Sequence, residues 1–403
     1  MRRTCIFFGR SALAIAGTVG TLTLAGSSES RADALSPGIT IQTRYDQEQT
    51  GVPRPPGEWT QSLTPQLLFE RTGPLTTWDL RAERRYDNPP QVSGFVVSHD
   101  IVTGTAQSRW GDHTHSHLEG SYFESRDVFN PDPRAPISNS RQWHSYGGAD
   151  FETYRGEASY VFDVANYQEV TLEDGHSQLL DAALFPHRTE SNRWLVAGHH
   201  EEWTVAGRNQ LTTTTATVGL RRDHTPTLAS HLEVGVARID EEGVLRNDLA
   251  LVAGLKGFGL TLGLPFDARF EVRHDVSNSG LAEIWRSTAG KRIALRWERA
   301  LAATGGFFDE PTNHDYVTFE AQDTLGGRSI VSLEGSYRRD RPRSLPGERL
   351  ETYRAAATLS KDLQRWLRAR ARYSLAVQHA SAGINAYPFD RDRVELMLTA
   401  AYQ

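Results

Sequence analysis

A single cysteine, Cys5, occurs among 403 residues. With one thiol there is no disulfide framework and no thiolate metal site. Cys5 also lies in an N-terminal segment expected to be removed, so no catalytic thiol is expected either. Lysine is nearly absent: Lys256, Lys291 and Lys361 are the only three, and arginine carries the positive charge. Beyond the N-terminus no run of about 18 apolar residues occurs, which excludes helical membrane spans. Mean hydropathy is -0.50 and 38% of residues are hydrophobic. A transmembrane barrel survives that test, because its strands alternate lipid-facing and lumen-facing residues and average out as polar. The formal charge of -6 gives no reason to expect nucleic acid as a partner. No G-x-S-x-G, H-E-x-x-H or phosphate-binding glycine loop is present, and no cofactor is implied.

The first 34 residues have the form of a secretion signal. Arg2, Arg3 and Arg10 are basic, Ser11 to Ala25 is mostly small or apolar, and Ala32-Asp33-Ala34 offers an A-x-A cleavage site. General secretion fits better than twin-arginine export, since the residues after Arg2-Arg3 match the latter poorly. The expected division is 1–34 as signal and 35–403 as one barrel domain. Removing the signal moves the net charge to about -8.

What remains alternates. "PFDARFEVRHD" sets Phe266, Ala268, Phe270 and Val272 against Asp267, Arg269, Glu271 and Arg273. "SIVSLEGSYRRD" and "WLRARARYSLAVQ" repeat the period of two, which is that of a strand. The terminal "RVELMLTAAYQ" does so to its end, with Val394, Leu396, Leu398, Ala400 and Tyr402 on one face. An unpaired strand there would be a template for aggregation, so it asks for a partner, the first strand near Ile39 to Asp46.

Connections separate a soluble sheet from a membrane barrel. Gaps alternate in length: Gln47 to Gly57 then Arg71 to Pro74, Asp87 to Gly94 then Gly111 to Asp112, Asp127 to Gly147 then Ala165 to Asn166. The rhythm returns at Arg299 to His314 and Thr324 to Arg328, and at Asp340 to Glu348 and Asp362 to Arg365. Short turns at one end and long loops at the other mark outer-membrane barrels. The fold class expected is therefore all-β, an up-and-down antiparallel transmembrane barrel of about 18 strands. The count falls to 16 if Asn166 to Thr189 is an inserted loop.

The charged face of these strands carries the candidate site. Arg269, Arg273, Arg292, Arg296, Arg354, Arg368, Arg370 and Arg372 fall on it, with Glu271 and Glu334 among the acids. An arginine facing lipid at the midplane costs roughly 2 to 4 kcal/mol, so these residues should line the lumen. Either they pair with acids and brace the wall, or they guide anionic solutes. Arg368, Arg370 and Arg372 form a ladder that Glu395 alone is positioned to answer. Tryptophans near segment ends, such as Trp59, Trp78 and Trp110, read as interface girdles; Trp143, within the longest gap, is the candidate for stacking on a glycan. His113, His115 and His117 alternate along a strand start, but at 6 to 7 Å spacing they suit a polar rim better than a metal. His274 and Ser277 are three apart and so misplaced for a strand-borne nucleophile pair, and "SNSG" reads as a periplasmic turn.

With its signal, its cysteine-free strands and the closing "DRDRVELMLTAAYQ", the chain resembles Gram-negative outer-membrane barrels associated with exopolysaccharide biosynthesis and export. That resemblance implies a pore-like role in moving or securing an anionic polysaccharide, without enzymatic activity. It implies as partners outer-membrane lipid and lipopolysaccharide, the barrel assembly machinery, the polysaccharide and periplasmic export proteins. Many such barrels end on an aromatic residue, whereas here Gln403 follows Tyr402. The alternatives are a porin for uptake of small molecules and, third, a lipid-modifying barrel enzyme.

Overall fold

The structure is a computed structural model and describes residues 31–48, 57–89, 93–125, 142–168, 172–189, 191–257, 266–275, 278–302, 307–308, 310–326, 328–345, 347–381 and 389–401. The signal expected at 1–34 falls mostly outside the described residues, as do Ser277, Tyr402 and Gln403.

Twenty strands form one sheet. The first five are β1 (Arg31–Glu48), β2 (Glu58–Thr72), β3 (Thr76–Asn88), β4 (Val96–Arg109) and β5 (Thr114–Ser125). Next come β6 (Gln142–Thr153), β7 (Gly156–Tyr167), β8 (Gly175–Arg188), β9 (Asn192–Val205) and β10 (Arg208–Thr225). The third group is β11 (Leu228–Glu241), β12 (Val244–Gly257), β13 (Asp267–His274), β14 (Asn278–Thr288) and β15 (Lys291–Ala302). The last are β16 (Thr312–Leu325), β17 (Ser329–Pro342), β18 (Leu350–Gln364), β19 (Leu367–Ala380) and β20 (Phe389–Ala401). Each pairs antiparallel with its sequence neighbours, and β20 pairs with β1 from Gly38↔Ala401 to Glu48↔Arg391. Closure removes every edge, which is how the terminal strand finds its partner.

The sheet is inside out by the standards of a soluble protein. On β11, Leu232, Val234 and Val236 are exposed while Glu233, Ala237 and Ile239 on the other face are buried. On β1, Ile39 and Ile41 point out, and Thr40 and Gln42 are buried within. Leaving one Leu or Val side chain in water rather than burying it forgoes about 1.5 to 3 kcal/mol. Repeated around the barrel, that cost is removed only by a lipid surround. Trp59 and Trp143 lie on the outer face at the long-loop end; Trp78, Trp110, Trp194 and Trp366 stand at the other, the two girdles of a membrane-spanning barrel.

Several expectations need correction. The barrel has 20 strands, not about 18 or 16. The interval from Gly147 to Ala165 contains a hairpin, β6 and β7, turning at Tyr154–Arg155 with no Pro, Asn or Asp to announce it. Between Asn166 and Thr189 one strand, β8, is present rather than two or none. The long-loop rhythm also fails between β9 and β14. Ala206-Gly207 and Glu242-Gly243 close that end with two-residue turns, both residues of each at positive φ (52° and 72°, 51° and 86°). This is the mirror-image turn whose twist matches antiparallel strands. Of the "SNSG" segment, Asn278 to Gly280 open β14 at the long-loop end, not the short-turn end. Trp143 is on β6, facing outward beside Glu124 and Asn166 in register, and not in a loop.

Candidate functional site in the barrel lumen

Pairing registers decide what faces inward. Arg292 opposes Gln322, Arg296 opposes Thr318, Arg354 opposes Ser336, and Arg368, Arg370 and Arg372 oppose Thr399, Met397 and Glu395, all on the lumen side. Arg269 and Arg273 share that side, in register with Lys256 and with the buried Val252.

Most are answered by acids. Arg269 bonds Glu271 at 3.1 Å and Arg296 bonds Glu298 at 2.6 Å, each two residues along its own strand. Arg292 lies 3.6 Å from Glu320. The ladder is not uniform. Arg368 donates to Asp362 across the β18–β19 hairpin at 2.6 Å, and Arg372 donates to Glu334 at 3.3 Å. Asp362 is the acid that the ladder's expected lack of partners overlooked. Glu395, the expected partner, stands in register with Arg372, accepts from Gln42 at 2.5 Å and lies 3.7 Å from Arg393. Arg370 makes no hydrogen bond or ion pair with any described residue; its strongest charged neighbours are Arg368, Arg372 and Arg81, with Glu334. Arg81 reaches it from β3, four strands away, across a cavity of about 820 Å³ that both walls line.

The opposite wall is acidic. Asp150, Glu157, Asp181 and Glu233 line a second cavity of about 440 Å³ on β6 to β11. Sequence reading dwelt on arginine and missed this arc, although each acid sits on the polar face of an alternating strand. It is cross-linked. His199 is held between Asp181 at 2.5 Å and Glu201 at 2.9 Å, and Arg273 of β13 bonds the same ring at 2.9 Å. Arg221 of β10 bonds Glu157 of β7. Strands β9 and β13 are separated by roughly 19 Å along the wall. Arg273 and His199 nevertheless meet at 2.9 Å, so their side chains span that arc through the lumen.

Towards the long-loop end the lumen becomes apolar. Trp203, Val205, Leu211, Ala237, Ile239 and Ala250 form a buried cluster on β9 to β12, and Leu301 of β15, three strands beyond β12, packs against it. Trp203 is thus no girdle residue. Phe307 and Phe308 cover Leu350 beside it in the same end of the barrel. Above them Arg343, after β17, pairs with Glu241 at the end of β11 at 3.2 Å, joining points of the rim six strands apart.

The remaining candidates stay apart. His115 and His117 face inward at the short-turn end, opposite Glu152 and Asp150, and no metal-holding group of three is found among the described residues. His113 precedes the strand and stacks near Tyr154. His199 and His200 point to opposite faces, the latter bonding Thr214 on the outside at 2.9 Å. His274 faces outward and is bonded to Asn278 at 2.7 Å.

No family model and no curated protein matches the chain. Among solved structures it is similar to OpdO of Pseudomonas aeruginosa at 12% identity and a TM-score of 0.40, covering 92% of this chain and 97% of that one. It is similar to OccK2 (OpdF) of the same organism, solved in complex with glucuronate, at 11% identity and a TM-score of 0.38, covering 92% and 98%. The siderophore receptor PirA of Pseudomonas aeruginosa aligns at 9% identity and a TM-score of 0.44, over 92% and 81%. Function does not travel with a fold at that distance; it must be found in the lumen of this chain.

Proposed function

We propose that this barrel is an outer-membrane channel for small charged solutes, preferring anions, and not a polysaccharide exporter. The observation that carries it is the lumen's division into a wall where Arg370 stands without an acid partner among the described residues, Arg81 facing it already paired to Glu83, and an acid-rich wall around Asp181 and Glu157. Opposed charges in a narrow, low-dielectric passage set up a transverse field that orients and selects small ions. A polymer needs a wide continuous bore, and the Leu301 contact and the Arg343–Glu241 pair both cross the route it would take.

Proteoliposome swelling tests this reading. A small carboxylate should enter faster than a neutral solute of equal size, and a long dextran should not enter at all. Equal entry of the two small solutes overturns the selectivity, and entry of the dextran restores the export reading.

A further inference from the structure

On the outer, lipid-facing surface one carboxylate is shared by three arginines. Asp315 of β16 is buried and accepts from Arg299 of β15 at 2.6 Å, and from Arg339 and Arg341 of β17 at 3.0 Å each. The registers Arg299↔Asp315 and Asp315↔Arg339 put all of them on the face that carries Leu295, Phe319 and Leu333. They are not lumen residues. Arg349 adds a fourth positive charge, 3.8 Å from Glu351, whose carboxylate also accepts from Tyr337. Four guanidiniums against two carboxylates leave an excess of two positive charges.

Elsewhere on the same rim an outward arginine is matched one to one by an acid. Arg84 is held by Asp100 through two hydrogen bonds of 2.7 and 3.0 Å, with the Tyr86 hydroxyl as a further partner. At Asp315 the donors outnumber the acceptors, the three side chains remain about a third exposed, and Nε of Arg339 is buried without a hydrogen bond to any described residue. Depth narrows the ligand. Arg299 and Arg339 lie three residues from the long-loop ends of their strands, roughly 10 Å from the rim. An outward arginine costs about 0 to 1 kcal/mol near the interface but 2 to 4 at the midplane, so the cluster belongs at headgroup level. Around it stand Trp297, beneath Arg299 at 5.8 Å, and the paired rings of Tyr337 and Tyr353, which favour the same level.

We propose that this patch is a docking site for a bilayer glycolipid whose headgroup carries phosphate monoesters. Planar guanidiniums bind phosphate oxygens through paired, charge-assisted hydrogen bonds, and the acyl chains would run down the apolar face below, over Phe319 and Leu333. The site requires only that the barrel spans a bilayer; it stands whether or not the lumen conducts.

The test uses the full chain folded in detergent, its fold confirmed by heat-modifiable gel migration. Native mass spectrometry would compare bisphosphorylated lipid A with lipid A stripped of both phosphates. The phosphorylated form should bind about tenfold more tightly, as expected for charge-assisted pairs. That preference should disappear in Arg299→Gln/Arg339→Gln/Arg341→Gln and persist in Arg84→Gln. Should the triple variant not fold, Arg341→Gln at the strand end is the milder change and should lower the preference, whereas Asp315→Asn should raise it by releasing the arginines. Equal binding of the two lipids, or an unchanged preference in folded Arg341→Gln, overturns the site. Displacement of the lipid by inorganic phosphate alone at the same concentration assigns the patch to a soluble anion and overturns the lipid reading.

Discussion

Arg343 and Glu241 meet at 3.2 Å over the long-loop end of the barrel, one from the segment after β17 and the other from the end of β11. Strands six apart are joined by one ion pair. In a closed meander such a bond is not needed to complete the sheet, so its effect is on the mouth. Glu241→Gln should leave heat-modifiable migration unchanged and increase single-channel conductance or open time in planar bilayers. Unaltered conductance in a conducting barrel would show that the pair does not limit the passage.

Arg370 should carry most of the anion preference, because Arg368 and Arg372 are already neutralised by Asp362 and Glu334. Arg370→Gln alone should move the reversal potential in a salt gradient towards cation selectivity. Arg368→Gln should move it less. An equal shift from both would mean that the field belongs to the whole ladder and not to its unpaired rung.

Close packing between strands makes a separate, structural prediction. A Cβ on Gly235 would meet the carbonyl oxygen of Ala216 at 1.9 Å, and backbone on a neighbouring strand cannot rotate away. Gly235→Val should block folding, read as loss of the fast-migrating gel band. Glu242 is the opposite case, a non-glycine residue at φ 51° beside Gly243. Glu242→Gly should tolerate that conformation better and stabilise the barrel by up to about 1 kcal/mol in urea unfolding, reduced by the entropy that glycine adds to the unfolded chain.

Orientation in the membrane is tested by single cysteines, for which this chain is suited because Cys5 lies in the expected signal. With the long loops outside, a membrane-impermeant maleimide should label Leu345→Cys on intact cells and should not label Arg155→Cys. The reverse pattern would invert the barrel.

Alternation by itself determined that the chain is built of strands with one polar face, and the rhythm of its connections pointed to a barrel. A period of two places side chains on opposite faces whatever the sheet's final shape, so the inward direction of Arg269 or Arg372 was legible residue by residue. The hairpin at Tyr154–Arg155 was not, because a turn without proline, asparagine or aspartate leaves the pattern unbroken. Nor was the fate of the charges. Arg372 finds Glu334 two strands away, Arg273 finds His199 four strands away, and Arg299, Arg339 and Arg341 converge on Asp315 from two flanking strands. Charge pairing depends on register, closure and curvature, which bring together residues remote in sequence. The sequence therefore set which face each arginine occupies, and the tertiary structure decided which are neutralised, which remain available in the lumen, and which are left to face the lipid.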